Sequence, residues 1–151
     1  MNRSRLVFLA LIAGIAIWHW ATTGPTPSDA MNAWVQKYEL ADAKLLNQDV
    51  SAMNDLSNSA TLSQGLTLCQ RSLADVDRVM AQPLPPNSQM KSAYVKFLDA
   101  RQLAFQDCVQ GIETTDPGLL SQAVVANSLA DSYGTTFMKL GKKLGFTIIG
   151  K

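Results

Sequence analysis

The segment LSQGLTLCQRSLADVDRVM, residues 62–80, decides the fold class, because its apolar side chains follow the period of a helix. They recur at steps of four, three, four, three and four residues: Leu62, Leu66, Cys69, Leu73, Val76 and Met80. This spacing places them on one side of a helix, where they need a core to pack against. The Pro-rich stretch 83–86 that follows stops the helix, because proline lacks the backbone N–H donor. The segment therefore predicts an amphipathic helix in a helical core.

Three further segments show helical periodicity. One starts at a Thr26-Pro27 cap, one at Asn87 or Ser88, and one at an Asp116-Pro117 cap. Their main apolar positions are Met31, Trp34, Tyr38, Ala41, Leu45, Met53 and Leu56; Met90, Tyr94, Phe97, Ala104, Cys108 and Ile112; and Leu119, Ala123, Ala126, Ala130, Tyr133, Phe137, Leu140 and Leu144. Four helices with short connections predict an all-α antiparallel up-down bundle over residues 29–145, preceded by a linker at 25–28.

Residues 1–24 predict a membrane-directed helix ahead of the bundle. Arg3 and Arg5 precede an apolar run from Leu6 to Trp18, and Trp20 follows closely. A basic end followed by an apolar run is typical of a signal peptide, whereas aromatic residues at the end of the run favour a membrane anchor.

The cleavage site and the length of this segment favour the anchor. A cut after Ala21 places His19 at a position that normally requires a small residue. The run 6–23 gives about 27 Å of helix, close to the ~30 Å hydrocarbon core. Both alternatives place the domain outside the cytoplasm, either tethered in the periplasm or at the cell surface, or secreted after cleavage.

The charge balance argues against a nucleic-acid-binding protein. The chain has 13 basic and 12 acidic residues, and two of the basic residues, Arg3 and Arg5, belong to the membrane segment. The domain therefore lacks the strongly basic character of nucleic-acid binders.

Cys69 and Cys108 are the two cysteines of the chain, and export predicts that they form a disulfide. In an up-down hairpin the two positions differ in level by about 12 Å, whereas a disulfide needs Cα atoms within about 7 Å. The pairing therefore predicts that the Pro-rich connection extends along the bundle axis before the third helix starts and so makes up this offset. Two thiols without a domain histidine do not make a zinc site.

The sequence contains no recognisable catalytic constellation, cofactor motif or metal motif, so a non-enzymatic protein is expected. The folded domain has no histidine to serve as a base. The carboxylates are spread over different helices, as solvated faces require: Asp42, Asp49, Asp55, Asp99, Asp107 and Asp131. Arg101 interrupts an apolar face, and we expect its stem to pack at the edge while its head group reaches water. The alternative is that Arg101 holds an anionic ligand or pairs with Asp75 or Asp131.

The C-terminal end is basic and apolar. Lys139, Lys142 and Lys143 lie opposite an apolar side, and residues 146–151, beginning with Phe146, form a tail. Such a segment suits contact with a membrane surface or a partner. Packing of the helix on its own bundle, with the lysines complementing the helix dipole, is the simpler alternative.

Two functions follow from these patterns. The first is a non-catalytic, membrane-tethered or exported bundle that acts through a membrane surface, a protein partner or a second copy of itself. The alternative is a binding module for a small apolar ligand between the helices. The candidate lining residues are aromatic: Trp34, Tyr38, Tyr94, Phe97, Tyr133 and Phe137.

Overall fold

The computed structural model describes the backbone of residues 26–56 and 61–146, and the side chains of residues 26–51 and 61–146. Every regular element in these ranges is helical, which confirms the all-α class, and the elements form four helices. Within these ranges no helix combines the length and apolar character needed to cross a membrane. The membrane segment predicted at 1–24, with Leu6, Trp18 and Trp20, lies outside the described residues, as does the tail beyond Phe146.

The first helix, α1, has three consecutive parts: Pro27–Trp34, a π-helical turn Val35–Glu39, and Leu40–Leu56. The predicted cap is confirmed, because Thr26 and Asp29 bond reciprocally in a capping box and proline follows at the first position. In the π-helical turn, the N–H of Leu40 donates to the carbonyl of Val35, five residues earlier.

The π-helical turn changes which residues of α1 are buried. Up to the first residue of this turn, the apolar side chains of Met31, Trp34 and Val35 enter the core. From its last residue onward, the buried positions are mostly acidic: Glu39, Asp42, Leu46 and Asp49. The expectation that Asp42 and Asp49 lie on solvated faces is therefore wrong.

The second helix, α2, spans Leu62–Met80 and starts with a capping box between Thr61 and Gln64. Its buried side is rotated from the predicted one, since Leu62 is 68% exposed. The buried positions are Leu68, Cys69, Ser72, Asp75, Val76 and Val79.

The third helix, α3, spans Ser88–Glu113, and the predicted cap Asn87 accepts from the N–H groups of Gln89 and Met90. Cys69 and Cys108 form the predicted disulfide, with Cα atoms 6.1 Å apart. Residues 81–87 connect two helical segments that the disulfide joins at their far ends. The segment from the start of α3 to Cys108 is longer than the segment from Cys69 to the end of α2. The longer segment carries Met90 and Tyr94 into the main core, where the Tyr94 hydroxyl reaches Asp42 of α1.

The fourth helix, α4, spans Pro117–Lys143 and begins at the predicted Asp116 cap. It packs on α3 through small side chains, since Ala123, Ala126 and Ala130 are buried. Gly145, at φ +79°, ends it and turns Phe146 back into the core.

The packing order leaves one gap in the bundle. In the described part of the chain, α1 packs on α2, α2 on α3, and α3 on α4, but no Cα atom of α1 lies within 8 Å of one in α4. Aromatic rings bridge this gap at one end, where Trp34 and Phe137 lie 6.4 Å apart between ring centroids. The rest of the gap is the cleft described next.

Candidate functional site

A cleft of about 360 Å³ lies between α1 and α4, with α3 as its floor. This volume falls within the range of small-molecule sites, about 300–1,000 Å³. The lining residues are Glu39, Asp42, Ala43, Leu46 and Asn47 from α1; Tyr94, Phe97 and Arg101 from α3; and Asp131, Gly134, Thr135, Phe137 and Met138 from α4.

Glu39 is the least satisfied polar side chain of the cleft. The residue is only 6% exposed, and its Oε2 atom is buried with no hydrogen-bond partner. Burial and, to a lesser extent, the nearby charge of Asp42 together raise the pKa of Glu39 to about 7. The π-helical turn ends at Glu39 and directs this carboxyl group inward, so the backbone irregularity and the cleft coincide.

Asp42, one turn further along α1, is held by neutral donors. Gln82 Nε2 donates to its Oδ1 at 3.0 Å, and the Tyr94 hydroxyl donates to its Oδ2 at 3.1 Å. Burial raises the pKa of Asp42, whereas these two hydrogen bonds act in the opposite direction. Burial and the Asp42 charge raise the pKa of Tyr94, so its hydroxyl stays a donor.

Arg101 lies on the opposite side of the same cleft. Its side chain is 6% exposed and donates to Asp131 Oδ1 at 2.8 Å and to Asn127 Oδ1. The guanidinium also lies over the Phe97 ring, 5.4 Å from its centroid. The expected position at a solvated edge is therefore wrong, and the alternative pairing with Asp131 is confirmed.

Aromatic rings close one end of the cleft. Tyr94 and Phe137 lie 5.2 Å apart between centroids, and Trp34 packs edge-on against Tyr94 at the same distance. Of the aromatic residues predicted to line a ligand site, Tyr94, Phe97 and Phe137 do so. Trp34 and Tyr38 pack behind them in the core, and Tyr133 is partly buried outside the lining.

A second buried polar cluster lies between α1 and α2, outside the cleft. Arg71 donates to Asp49 Oδ1 at 3.1 Å, while Asp49 Oδ2 and the Ser72 hydroxyl oxygen are buried without a partner. Asp75 is also buried and pairs with Arg78 at 3.2 Å. Burial raises the pKa of Asp49 despite the Arg71 contact.

The residues predicted for surface contact differ in their exposure. Lys139, Lys142 and Lys143 are exposed, and the last two lie in the final turn of α4, where they complement the helix dipole. Phe146 is buried in the main core instead.

The prediction that the carboxylates lie on solvated faces leaves out the acidic side of the cleft. One signal in the sequence reveals it. Stepping back from Met53 by four and then three residues reaches Asp49 and Leu46, and a further four reaches Asp42. This heptad-like spacing joins the acids to the apolar stripe, whereas Tyr38 and Leu45 belong to a different phase.

The cleft thus combines aromatic and aliphatic walls, an unpartnered carboxyl group and an arginine already paired. Such a site can accept a hydrogen bond from, or pair with, a small molecule that enters between α1 and α4. Comparisons with protein-family models, curated proteins and solved structures gave no match.

Proposed function

We propose that this chain is a non-catalytic binding protein that holds a small organic molecule in the α1–α4 cleft. The observation that carries the proposal is the buried Glu39 carboxyl group, which faces a cavity of about 360 Å³ and has no partner for Oε2. A buried polar group without a hydrogen bond costs about 1–3 kcal/mol. A ligand that supplies the missing partner recovers that cost on binding.

The cleft favours an amphipathic ligand over the fully apolar one expected from the sequence. Leu46, Phe97 and Phe137 supply apolar walls, while Glu39 and Asp42 supply acceptors on one side. Ligand sites commonly combine a mostly apolar lining with a few polar groups that fix orientation.

The proposal is tested by filling the cleft. The full chain in zwitterionic lipid nanodiscs is screened against a metabolite panel by thermal shift, and hits are measured by calorimetry. Ala43→Phe places a ring in the cleft, whereas Ala41→Phe places the same ring on the exposed side of α1. We expect binding to be lost in the first variant and kept in the second. A panel without hits, or hits that survive Ala43→Phe, contradicts the proposal.

We further propose that residues 1–24 anchor the protein in a membrane and that its helices run up and down on the outer side. Support comes from the Arg3/Arg5 start, the apolar run and the Trp18/Trp20 boundary. The intact mass of the protein from membrane and soluble fractions tests the anchor. Loss of the segment, with the protein in the soluble fraction, supports the secreted alternative.

A second candidate function is docking of a protein partner on the outer face of α4. Val124 and Val125 are each 67% exposed, and Leu129 is 46% exposed. Exposed apolar side chains grouped on one helix are typical of interaction surfaces. Crosslinking in the envelope fraction tests this candidate by comparing the wild-type chain with the double variant Val125→Lys/Leu129→Lys. Docking on α4 predicts a crosslinked adduct that the wild type forms and the variant does not.

A further inference from the structure

We propose that the cleft selects organic cations: an ammonium group seats at Glu39 beside Asp42, and an apolar body lies along the Phe97 and Phe137 rings. This inference rests on the proposed binding function and adds the chemical class of the ligand.

The charges that line the cleft give the first argument. The charged side chains are three acids, Glu39, Asp42 and Asp131, and one base, Arg101. Arg101 is already paired with Asp131 at 2.8 Å. In the described part of the chain, neither Glu39 nor Asp42 has a lysine or arginine nitrogen within 4.0 Å. The α1 side of the cleft therefore carries two carboxyl groups and no countercharge.

The hydrogen bonds separate the roles of the two acids. Both oxygens of Asp42 receive donors, from Gln82 and Tyr94, so its position is fixed. Glu39 Oε2 is buried and receives none. An ammonium group offers three N–H donors and a positive charge, and charge-assisted hydrogen bonds are about twice as strong as neutral ones. Glu39 thus binds the ammonium group directly, and the negative charge of Asp42 attracts it from nearby.

The aromatic walls suit a cation as well. Ring faces attract positive charge within about 6 Å of their centroids. The Arg101 guanidinium lies 5.4 Å from the Phe97 centroid, so one ring of this cleft already contacts a cation. An anionic ligand meets the opposite situation, because two carboxyl groups repel it and Arg101 is engaged by Asp131 and Asn127.

The inference predicts how binding depends on pH. The titratable and charged groups that line the cleft with Glu39 are Asp42 from α1, Tyr94 and Arg101 from α3, and Asp131 from α4. Burial raises the pKa of Tyr94, so its hydroxyl stays protonated, and the pKa of Glu39, about 7, makes Glu39 the group that changes charge near neutrality. A bound ammonium favours the ionised carboxyl group, and binding near pH 7 therefore releases a proton to the buffer.

The test compares three probes of similar size: 2-phenylethylammonium, 2-phenylethanol and 3-phenylpropanoate. Each is titrated at pH 8 into the full chain in zwitterionic nanodiscs, with empty nanodiscs as a blank. We expect the ammonium to bind about tenfold or more tightly than the alcohol, and the carboxylate not to bind. Glu39→Gln should remove this preference. Glu113→Gln, an exposed acid at the end of α3, should keep it.

Proton release provides a readout that does not depend on a variant. Calorimetry of the ammonium at pH 7 in two buffers of different ionisation enthalpy should show proton release, and affinity should fall from pH 8 to pH 5.5. Equal or tighter binding of the alcohol overturns cation selectivity but leaves the binding function intact. Failure of all three probes also overturns the inference, while hits from the wider panel that Ala43→Phe abolishes still support the binding function.

Discussion

Tyr94 donates a hydrogen bond from its hydroxyl to Asp42 Oδ2 at 3.1 Å, which ties α3 to α1 beneath the cleft. The two residues are separated by 52 positions, and both are buried. Since no Cα atom of α1 lies within 8 Å of one in α4 in the part of the chain that the structure describes, this contact helps to fix how far α1 stands from α3 and α4.

Removing the Tyr94 hydroxyl should destabilise the protein. Tyr94→Phe keeps the ring but leaves a buried carboxylate oxygen without its donor, at a cost of about 1–3 kcal/mol. The hydrogen bond lowers the pKa of Asp42, so the variant should also raise that pKa further. Urea denaturation measures the first effect. Tyr133→Phe is the control, because Tyr133 is only partly buried and outside the cleft lining. Equal losses of stability in Tyr94→Phe and Tyr133→Phe would contradict a stabilising role of the Tyr94 hydroxyl.

The pKa of Glu39 makes the stability of the unligated protein depend on pH. Its native value is about 7, against an ordinary value of 4.5. Between these values the native state retains a proton that the unfolded state has lost, so stability falls as the pH rises through this window. We expect Glu39 to account for a fall on the order of 2–3 kcal/mol between pH 4.5 and pH 8.

Glu39→Gln isolates this contribution, because the raised pKa values of Asp42 and Asp49 act in the same direction in both proteins. The variant should match the wild type near pH 4.5 and exceed it at pH 8 in urea denaturation. Parallel stability curves for the two proteins count against a buried, uncompensated carboxylate at this position.

Helix boundaries could be predicted from the sequence because they depend on local chemistry. The Thr26, Asn87 and Asp116 caps each bond to backbone N–H groups within three residues. The heptad-like spacing places Asp42 on the apolar side of α1, but it does not identify the two donors that hold this carboxylate, because they lie 40 and 52 residues away. Burial of Glu39 coincides with the π-helical turn in α1, which apolar periodicity does not predict.

Thr115 should be replaceable by glycine with a gain in stability. It ends α3 at φ +56°, a left-handed conformation that is strained for a β-branched residue. Gly145 ends α4 by the same arrangement. In both helices, the N–H of the following residue donates to the carbonyl of the residue five positions before that donor. Thr115→Gly should add about 0.5–1 kcal/mol in chemical denaturation. The converse variant, Gly145→Thr, should lose a similar amount, and a stability loss in Thr115→Gly contradicts the strain.

The disulfide should supply a large share of the stability. It joins residues 39 positions apart, and in the chain-entropy model a closed loop of this size contributes about 3–4 kcal/mol. Cys69→Ala/Cys108→Ala should lower the free energy of unfolding by this amount in urea. Reduction of the wild type, verified by thiol alkylation and intact mass, should give the same loss. A double variant as stable as the oxidised protein contradicts this role.

Arg101 and Asp131 should respond asymmetrically to substitution, because one is buried and the other is not. The Arg101 side chain is 6% exposed, whereas that of Asp131 is 60% exposed. Asp131→Ala leaves a buried guanidinium without its carboxylate, and Nε is already unpartnered. We expect a loss of about 1–3 kcal/mol.

Arg101→Met removes the buried charge and keeps an apolar side chain of similar length. Asp131 and Asn127 then turn to water, so the loss should stay below about 1 kcal/mol. Thermal and urea denaturation of both single variants and the double variant complete the cycle. The double variant should resemble Arg101→Met, because the cost of Asp131→Ala exists only while the guanidinium is buried. A greater loss from Arg101→Met than from Asp131→Ala would show instead that Arg101 packing on Phe97 outweighs its charge pairing.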